Sequence, residues 1–433
     1  FRKVNSLAHI NSALRNIHFA ESEDVLNEAI RRLKFDEHFF LQMLLALRKS
    51  SLQKTGAKAL NKIGPEVKLI SESLDFELTN AQKKVTKEIK DDMARPFSMN
   101  RLLQGDVGSG KTIVSVLAAV IAVANNVQVA VMAPTEILAH QHLTSFKKHA
   151  ETAQITCAIL VGGTPVKERR AILDGLAKGR IDIIIGTHAL IQKDVKFNEL
   201  GLVIVDEQHR FGVLQRGKLT AKGLNPHLLA MTATPIPRTL AITYYGDMDL
   251  SIIDEMPKNR IPVVTKVVDE VRLKKVYDFM KIEVAAGRQC MVVYPLVEET
   301  EKSDLAAAAE MHKNLSEKIF SKFKMGLIHG RMKKEEKDIV MDAYGRNEIH
   351  ILISTTVIEV GIDIPNATVM LIEHSDRFGL TQLHQLRGRV GRGSEKSYCI
   401  LVRRNFSNNS KKRLRIMEST NDGFVISDED LKI

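Results

Sequence analysis

The stretch LLQGDVGSGKTIV sets Gly105, Gly110, Lys111 and Thr112 in the spacing G-x-x-x-x-G-K-T. Glycines in such a loop let successive backbone N–H groups turn toward one anion, and a helix starting at the last glycine adds positive potential. The apolar run before Gly105 and the helix-forming run after Thr112 supply the strand and helix that the loop requires. Lys111 has the reach for the outer phosphates of a nucleoside triphosphate, and the Thr112 hydroxyl can ligate Mg²⁺. Asp106, Val107, Gly108 and Ser109 complete the cradle. Further along, LVIVDEQHRFG places Asp206 and Glu207 directly after four apolar residues, at the C-terminal end of a strand, where open α/β sheets bind ligands. An acidic strand end is ordinarily just solvated. Beside a phosphate loop, Asp206 reads as an outer-sphere Mg²⁺ partner and Glu207 as the carboxylate that orients and deprotonates an attacking water.

A third stretch, QLHQLRGRVGRG, sets Arg387, Arg389 and Arg392 among Gly388, Gly391 and Gly393. By itself it describes a basic surface turn. With a phosphate loop elsewhere in the chain, the guanidinium forks of Arg389 and Arg392 suit an anion held by another domain. Guanine recognition through N-K-x-D is disfavoured, because the one Asn-Lys pair, Asn61-Lys62, continues with Ile63-Gly64.

Two series of short apolar runs must carry these groups. Residues 127–133, 155–161, 181–186, 202–206 and 227–232 form the first, and 289–295, 324–330, 349–355, 368–373 and 397–402 the second. Continuous apolarity means both faces are covered, as in parallel sheets flanked by helices. The polar segment 246–262, with two prolines, is the expected hinge. The fold class expected is therefore α/β, two doubly wound parallel-sheet domains preceded by a helical segment. The expected bounds are 1–75 for the helical region, 76–250 and 251–404 for the two domains, and 405–433 for the start of a C-terminal helical region. In the first region Phe39, Met43 and Leu47 share a helical stripe that predicts a packed face.

The 433 residues are 44% hydrophobic and 27% charged, in keeping with a globular protein of several domains. The formal net charge of +11 favours a polyanionic partner. Cys157, Cys290 and Cys399 are too scattered for a metal site or a disulfide framework. The apolar run 113–124 is too short to span a bilayer and predicts a buried helix, so no membrane partner is expected. Aromatic residues are 5% and Trp is absent, which disfavours base-stacking platforms. Lys411, Lys412, Arg413 and Arg415 lie past the arginine motif and are either a solvated basic helix face or contacts for the phosphates of a polyanionic partner.

GDVGSGKT, APTEILAHQ (133–141), GTHAL (186–190), DEQHRFG (206–212), MTATPIPRT (231–239), STTVIEVGIDIP (354–365) and QLRGRVGRG occur in the order that marks superfamily-two helicases. The wording is most similar to the RecG type of branched-DNA helicase, over at least residues 76–404. FELTNAQ, through Phe76 and Gln82, resembles the adenine-reading segment of such enzymes. The resemblance implies two RecA-like domains with ATP and Mg²⁺ in the cleft between them, and Arg389 and Arg392 reaching across to the γ-phosphate. It implies that Gln385 and Asp363 bridge nucleotide and arginines. It implies that Thr135, Thr187 and Thr355 contact DNA phosphates through hydroxyls and adjacent N–H groups. His209 would link the acidic motif to the second domain, and Thr232 and Thr234 would couple hydrolysis to DNA. The partner implied is branched or duplex DNA, bound by a monomer in the bacterial cytoplasm or nucleoid. The RecG type also carries an N-terminal wedge domain and a C-terminal translocation element, and the expectation is that these residues lack the first and reach only the start of the second. Two alternatives are a transcription–repair coupling translocase and a nucleic-acid-binding scaffold with a vestigial ATP site. DEQH and Ser109 favour the RecG type over the first, and the intact set Lys111, Asp206, Glu207, Arg389 and Arg392 disfavours the second.

Overall fold

The computed structural model describes residues 4–53, 56–235, 237, 240, 246–257, 260–295, 312–355, 364–405 and 407–433. Asp363 and most of the segment 354–365 fall outside them.

The first series of runs, with two further strands, forms a seven-stranded, wholly parallel sheet. Its strands are β1 (Asn100–Gly105), β2 (Gln128–Met132), β3 (Cys157–Leu160), β4 (Ile183–Gly186), β5 (Leu200–Val205), β6 (His227–Thr232) and β7 (Asp249–Ile253). Their order is β3-β4-β2-β5-β6-β1-β7. The second series, with one further strand that it did not include, β8 (Val264–Asp269), gives a six-stranded parallel sheet completed by β9 (Gln289–Tyr294), β10 (Met325–Ile328), β11 (Ile351–Thr355), β12 (Ala367–Ile372) and β13 (Tyr398–Arg403). Its order is β10-β11-β9-β12-β13-β8. Central strands such as β2, β5 and β12 are buried along their whole length, because helices cover both faces of each sheet. The helix Lys111–Ala124 has every residue from Ile113 to Ala122 buried, as its unbroken apolarity predicts.

Two expectations need correction. Asp249–Ile253, inside the segment expected to be the hinge, pairs in parallel with β1 as an edge strand of the first sheet. An edge strand buries one side only, so its polar residues hid it from a search for apolar runs. The stripe Phe39, Met43 and Leu47 is not packed: these side chains are 37%, 44% and 62% exposed on the long helix Glu23–Gln53. Periodicity puts residues on one face but does not say what covers that face. The helix is tied to the first sheet near its end, where Lys49 pairs with Asp249 at 2.6 Å.

Candidate functional site

The phosphate loop leaves β1 and enters the helix Lys111–Ala124 through Gly108 and Gly110, at φ +76° and +88°. These left-handed conformations suit residues without a Cβ. Lys111 Nζ donates to the carbonyls of Gly105 (2.7 Å) and Asp106 (2.8 Å), within its own loop. Burial holds the Lys111 pKa below its ordinary value, against the opposing charges of Glu207, Asp206 and Asp106.

Asp206 and Glu207 follow β5, as expected. Glu207 sits at φ +47°, an uncommon conformation for a side chain of this kind, held by tertiary contacts. Its Oε2 accepts from the Ala233 amide at 3.4 Å, and Ala233 is fixed by the hydrogen bond between the Thr232 and Thr234 hydroxyls on either side (2.6 Å). The T-A-T loop thus braces the acidic motif directly. Burial and then the Asp206 charge raise the Glu207 pKa, while Lys111 and Arg389 oppose the rise. Burial pushes Asp206 up as well, but the hydrogen bond and charge of His142 and the charge of Lys111 outweigh it and leave its pKa lowered. Both Asp206 oxygens have donors: His142 Nε2 at 2.8 Å on Oδ2 and the Glu207 amide at 3.0 Å on Oδ1.

One cavity gathers Gly108, Gly110, Lys111, Thr112, Asp206 and Glu207 from the first domain with Arg389 and Arg392 from the second. Arg392 Nε is anchored on the Gly388 carbonyl at 3.1 Å. A neighbouring cavity, lined by Phe76, Gln82, Gly110, Thr112, Arg260 and Arg392, continues from it. Gln82 is buried, accepting from the Thr79 amide at 2.9 Å and donating to the Ser109 carbonyl at 2.8 Å, so it braces the phosphate loop as well as lining the pocket. Arg389 and Arg392 therefore share a cavity with the glycine loop and the acidic strand end of the other domain. Gly388 explains one of the interleaved glycines, since a Cβ there would lie 2.8 Å from Val107 Cβ.

The oxygens facing the phosphate cavity fit Mg²⁺: Thr112 offers a hydroxyl and Asp206 a carboxylate, hard donors of the kind this ion takes. With both its oxygens already holding protein donors, Asp206 suits contact through a water shell.

Other expected residues stand elsewhere. Gln385, on the helix Leu380–Arg387, is half-buried and lines neither cavity; its neighbour His384 faces the first domain instead. His209 Nδ1 lies 3.6 Å from Glu207 Oε2, within its own domain. Thr135 caps the helix Glu136–Ala150 by accepting from the Leu138 amide. The hydroxyls of Thr187 and Thr355 are buried and have no hydrogen-bond partner among the described residues, so neither is presented at the surface as phosphate contact would require. Arg413 is committed to the carbonyls of Phe378 and Asp376, both at 2.8 Å. Lys411, Lys412 and Arg415 instead line one concave surface.

Sequence reasoning missed His142, His384, Arg260 and Gly423. His142 falls one position past APTEILAHQ, and His384 inside the arginine motif, where the arginines drew the reading. Arg260, in the interdomain segment, donates to the Val107 carbonyl.

Comparison with known proteins gives two family models: DEAD/DEAH box helicase over residues 79–242, and helicase conserved C-terminal domain over residues 271–394. The chain is 48% identical over 433 residues to the ATP-dependent DNA helicase RecG of Synechocystis sp., covering 100% of the chain and 52% of that protein. The Bacillus subtilis protein of that name is 47% identical over 433 residues, with 100% and 64% covered. This chain thus spans between half and two thirds of these relatives' length. A solved structure of RecG bound to a three-way DNA junction superposes with a TM-score of 0.86 at 44% identity, over 100% of this chain and 57% of the other. Dbp5 of S. cerevisiae, bound to RNA and ADP BeF3, shares the fold at a TM-score of 0.59 and 17% identity, over 85% of this chain and 94% of the other.

Proposed function

The chain belongs to the RecG type of superfamily-two helicases, and from that premise we propose that it is the ATP-hydrolysing motor of a DNA translocase that remodels branched DNA such as stalled forks and Holliday junctions. The observation that carries the proposal is one cavity lined by Lys111, Thr112, Asp206 and Glu207 of one domain and by Arg389 and Arg392 of the other.

In this reading the loop amides and Lys111 hold the phosphates of ATP, with Phe76 and Gln82 on the base side. Thr112 and Asp206 would hold Mg²⁺, which would supply charge neutralisation at the phosphates. Glu207, its pKa raised by burial and the Asp206 charge, takes the proton of the attacking water. Arg389 and Arg392 stabilise charge on the transferred phosphoryl group, so hydrolysis requires both domains together. Opening and closing of this cleft is the stroke that moves DNA. T-A-T links it to the nucleic acid, because the loop that positions Ala233 against Glu207 moves with the acidic motif. Phosphates carry no base information, so a grip through the Lys411, Lys412 and Arg415 surface and through N–H groups beside Thr135, Thr187 and Thr355 tracks any sequence. Asp363 completes the nucleotide set by family likeness, and the chain acts as a monomer on duplex or branched DNA in the bacterial cytoplasm. Among the described residues no helix is long and apolar enough to cross a membrane.

Steady-state ATP hydrolysis, measured alone, with linear duplex and with a three-way junction, tests this. Stimulation that is greatest with the junction is expected. Turnover indifferent to all DNA would overturn the motor reading, and absence of turnover would leave a binding scaffold.

A further inference from the structure

Asp106 belongs to the phosphate loop, yet its side chain turns away from the phosphate cavity into a separate space between the domains, shared with His384, Gly388 and Phe424. The residue is only 5% exposed. Its Oδ1 accepts from the Val107 amide at 2.6 Å and from His384 Nε2 at 2.5 Å, and its Oδ2 accepts from the Gly423 amide at 3.1 Å. Donors from three separate segments thus meet on one buried carboxylate.

His384 lies on the second domain's helix Leu380–Arg387 and is itself buried. Its Nδ1 faces Arg387 Nη2 at 2.8 Å. Arginine can only donate, so Nδ1 accepts and the ring proton sits on Nε2, aimed at Asp106. Arg387 Nη1 continues to the carbonyls of Met417 (2.9 Å) and Thr420 (2.8 Å). An unbroken line of hydrogen bonds therefore joins the phosphate loop, the arginine segment and the end of the C-terminal helix Asn408–Ser419, which the helix Gly423–Asp430 follows. The packing leaves no slack: a Cβ on Gly423 would lie 2.5 Å from His384 Nε2 and 2.9 Å from Asp106 Oδ2.

We propose that Asp106 and His384 are a positioning pair that sets the second domain on the phosphate loop and so fixes where Arg389 and Arg392 project, and that Asp106 is not a nucleotide ligand. Arg389 and Arg392 follow His384 on the same short segment, which Gly388 presses against Val107. A buried carboxylate stripped of its donors is costly, so the contact is made whole or the cleft opens and Asp106 is rehydrated. The pair is thus a two-state element: docking of the second domain and the position of the helix at Gly423 change together. This rests on the ATPase reading of the cleft.

The test uses the full chain carrying spin labels at Lys167→Cys and Lys274→Cys, two exposed sites on different domains, in a Cys157→Ser background. The parent should give one narrow interdomain distance, broadened in His384→Ala and in Asp106→Asn. Gly423→Ala attacks the same contact from the C-terminal helix and should reproduce the broadening, which guards against misfolding of any one variant. By calorimetry, Mg-ATP affinity should change less than about threefold in these variants, while turnover falls about 10- to 100-fold through misplaced arginines. The Asp106→Asn/His384→Ala double variant should fall no further than the single ones. Unchanged distances in every variant, or a loss of nucleotide affinity in Asp106→Asn equal to that of Lys111→Ala, overturns the pairing. A parent that hydrolyses no ATP would sink the ATPase reading instead, and the distances would still decide the pairing.

Discussion

The two sheets share one plan and differ in chemistry. Taken by chain position, the order β10-β11-β9-β12-β13-β8 repeats the order β3-β4-β2-β5-β6-β1, with β7 added at the first sheet's edge. The likeness extends to a loop. DEQHRFG (206–212) follows β5 and EHSDRFG (373–379) follows β12, each with its second residue left-handed, Glu207 at φ +47° and His374 at φ +48°. Each then makes a short 3₁₀ turn and enters a helix. Yet Asp206 lines the cavity beside the glycine loop, whereas Glu373 is fully buried beside Arg404 Nη2 at 3.3 Å. Burial raises the Glu373 pKa and Arg404 opposes it. The strand before each helix differs too: β1 runs into a glycine loop with two left-handed glycines, while β8 runs into Glu270–Arg272, which has no glycine. One backbone frame thus serves twice, and loop composition gives the first copy a glycine loop and leaves the second without one.

The largest effect should come from the copy with the glycine loop. Lys111→Ala and Glu207→Gln should both abolish ATP hydrolysis, but only Lys111→Ala should lose nucleotide affinity, since Glu207→Gln keeps the loop and Asp206. Calorimetry with Mg-ATP separates them, and equal loss of binding in both would remove Glu207 from its role as base. Next, Arg392→Ala on the other copy should lower turnover by roughly three orders of magnitude or more with little change in ATP affinity. Turnover within about tenfold of the parent, in assays saturated with DNA, would defeat that assignment.

A smaller effect concerns pH. Glu207 acts as a base only when ionised, and burial beside Asp206 raises its pKa. Activity should therefore fall with acidification at a pH above the ordinary glutamate range. A pH–rate profile at saturating Mg-ATP with an acid limb in the ordinary range would count against it. The smallest effect should come from Glu373→Gln, the counterpart of Asp206, which should leave turnover within about twofold because the side chain does not face nucleotide; each tenfold loss would correspond to about 1.4 kcal/mol of missing transition-state stabilisation. A loss as deep as that of Asp206→Asn would show that the second copy still takes part in the chemistry.

Local patterns were legible where the chemistry is local. The phosphate loop, the acidic strand end and the arginine segment each need only neighbouring residues to set backbone geometry, and the continuous apolar runs announce strands covered on both faces. The edge strand β7 and the exposed Phe39, Met43 and Leu47 escaped that reading, because half-covered segments carry no pattern that names their cover. The sequence by itself determined the two parallel-sheet units and the residue types that line the cleft between them. Tertiary structure alone decided that His384 rather than Gln385 meets the phosphate loop, that Arg413 is spent on carbonyls, and that His142 holds Asp206. These are contacts between segments far apart in the chain or between side chains competing for one partner. Their outcome depends on which surfaces pack together and which buried polar groups must be satisfied, and no residue spacing encodes that.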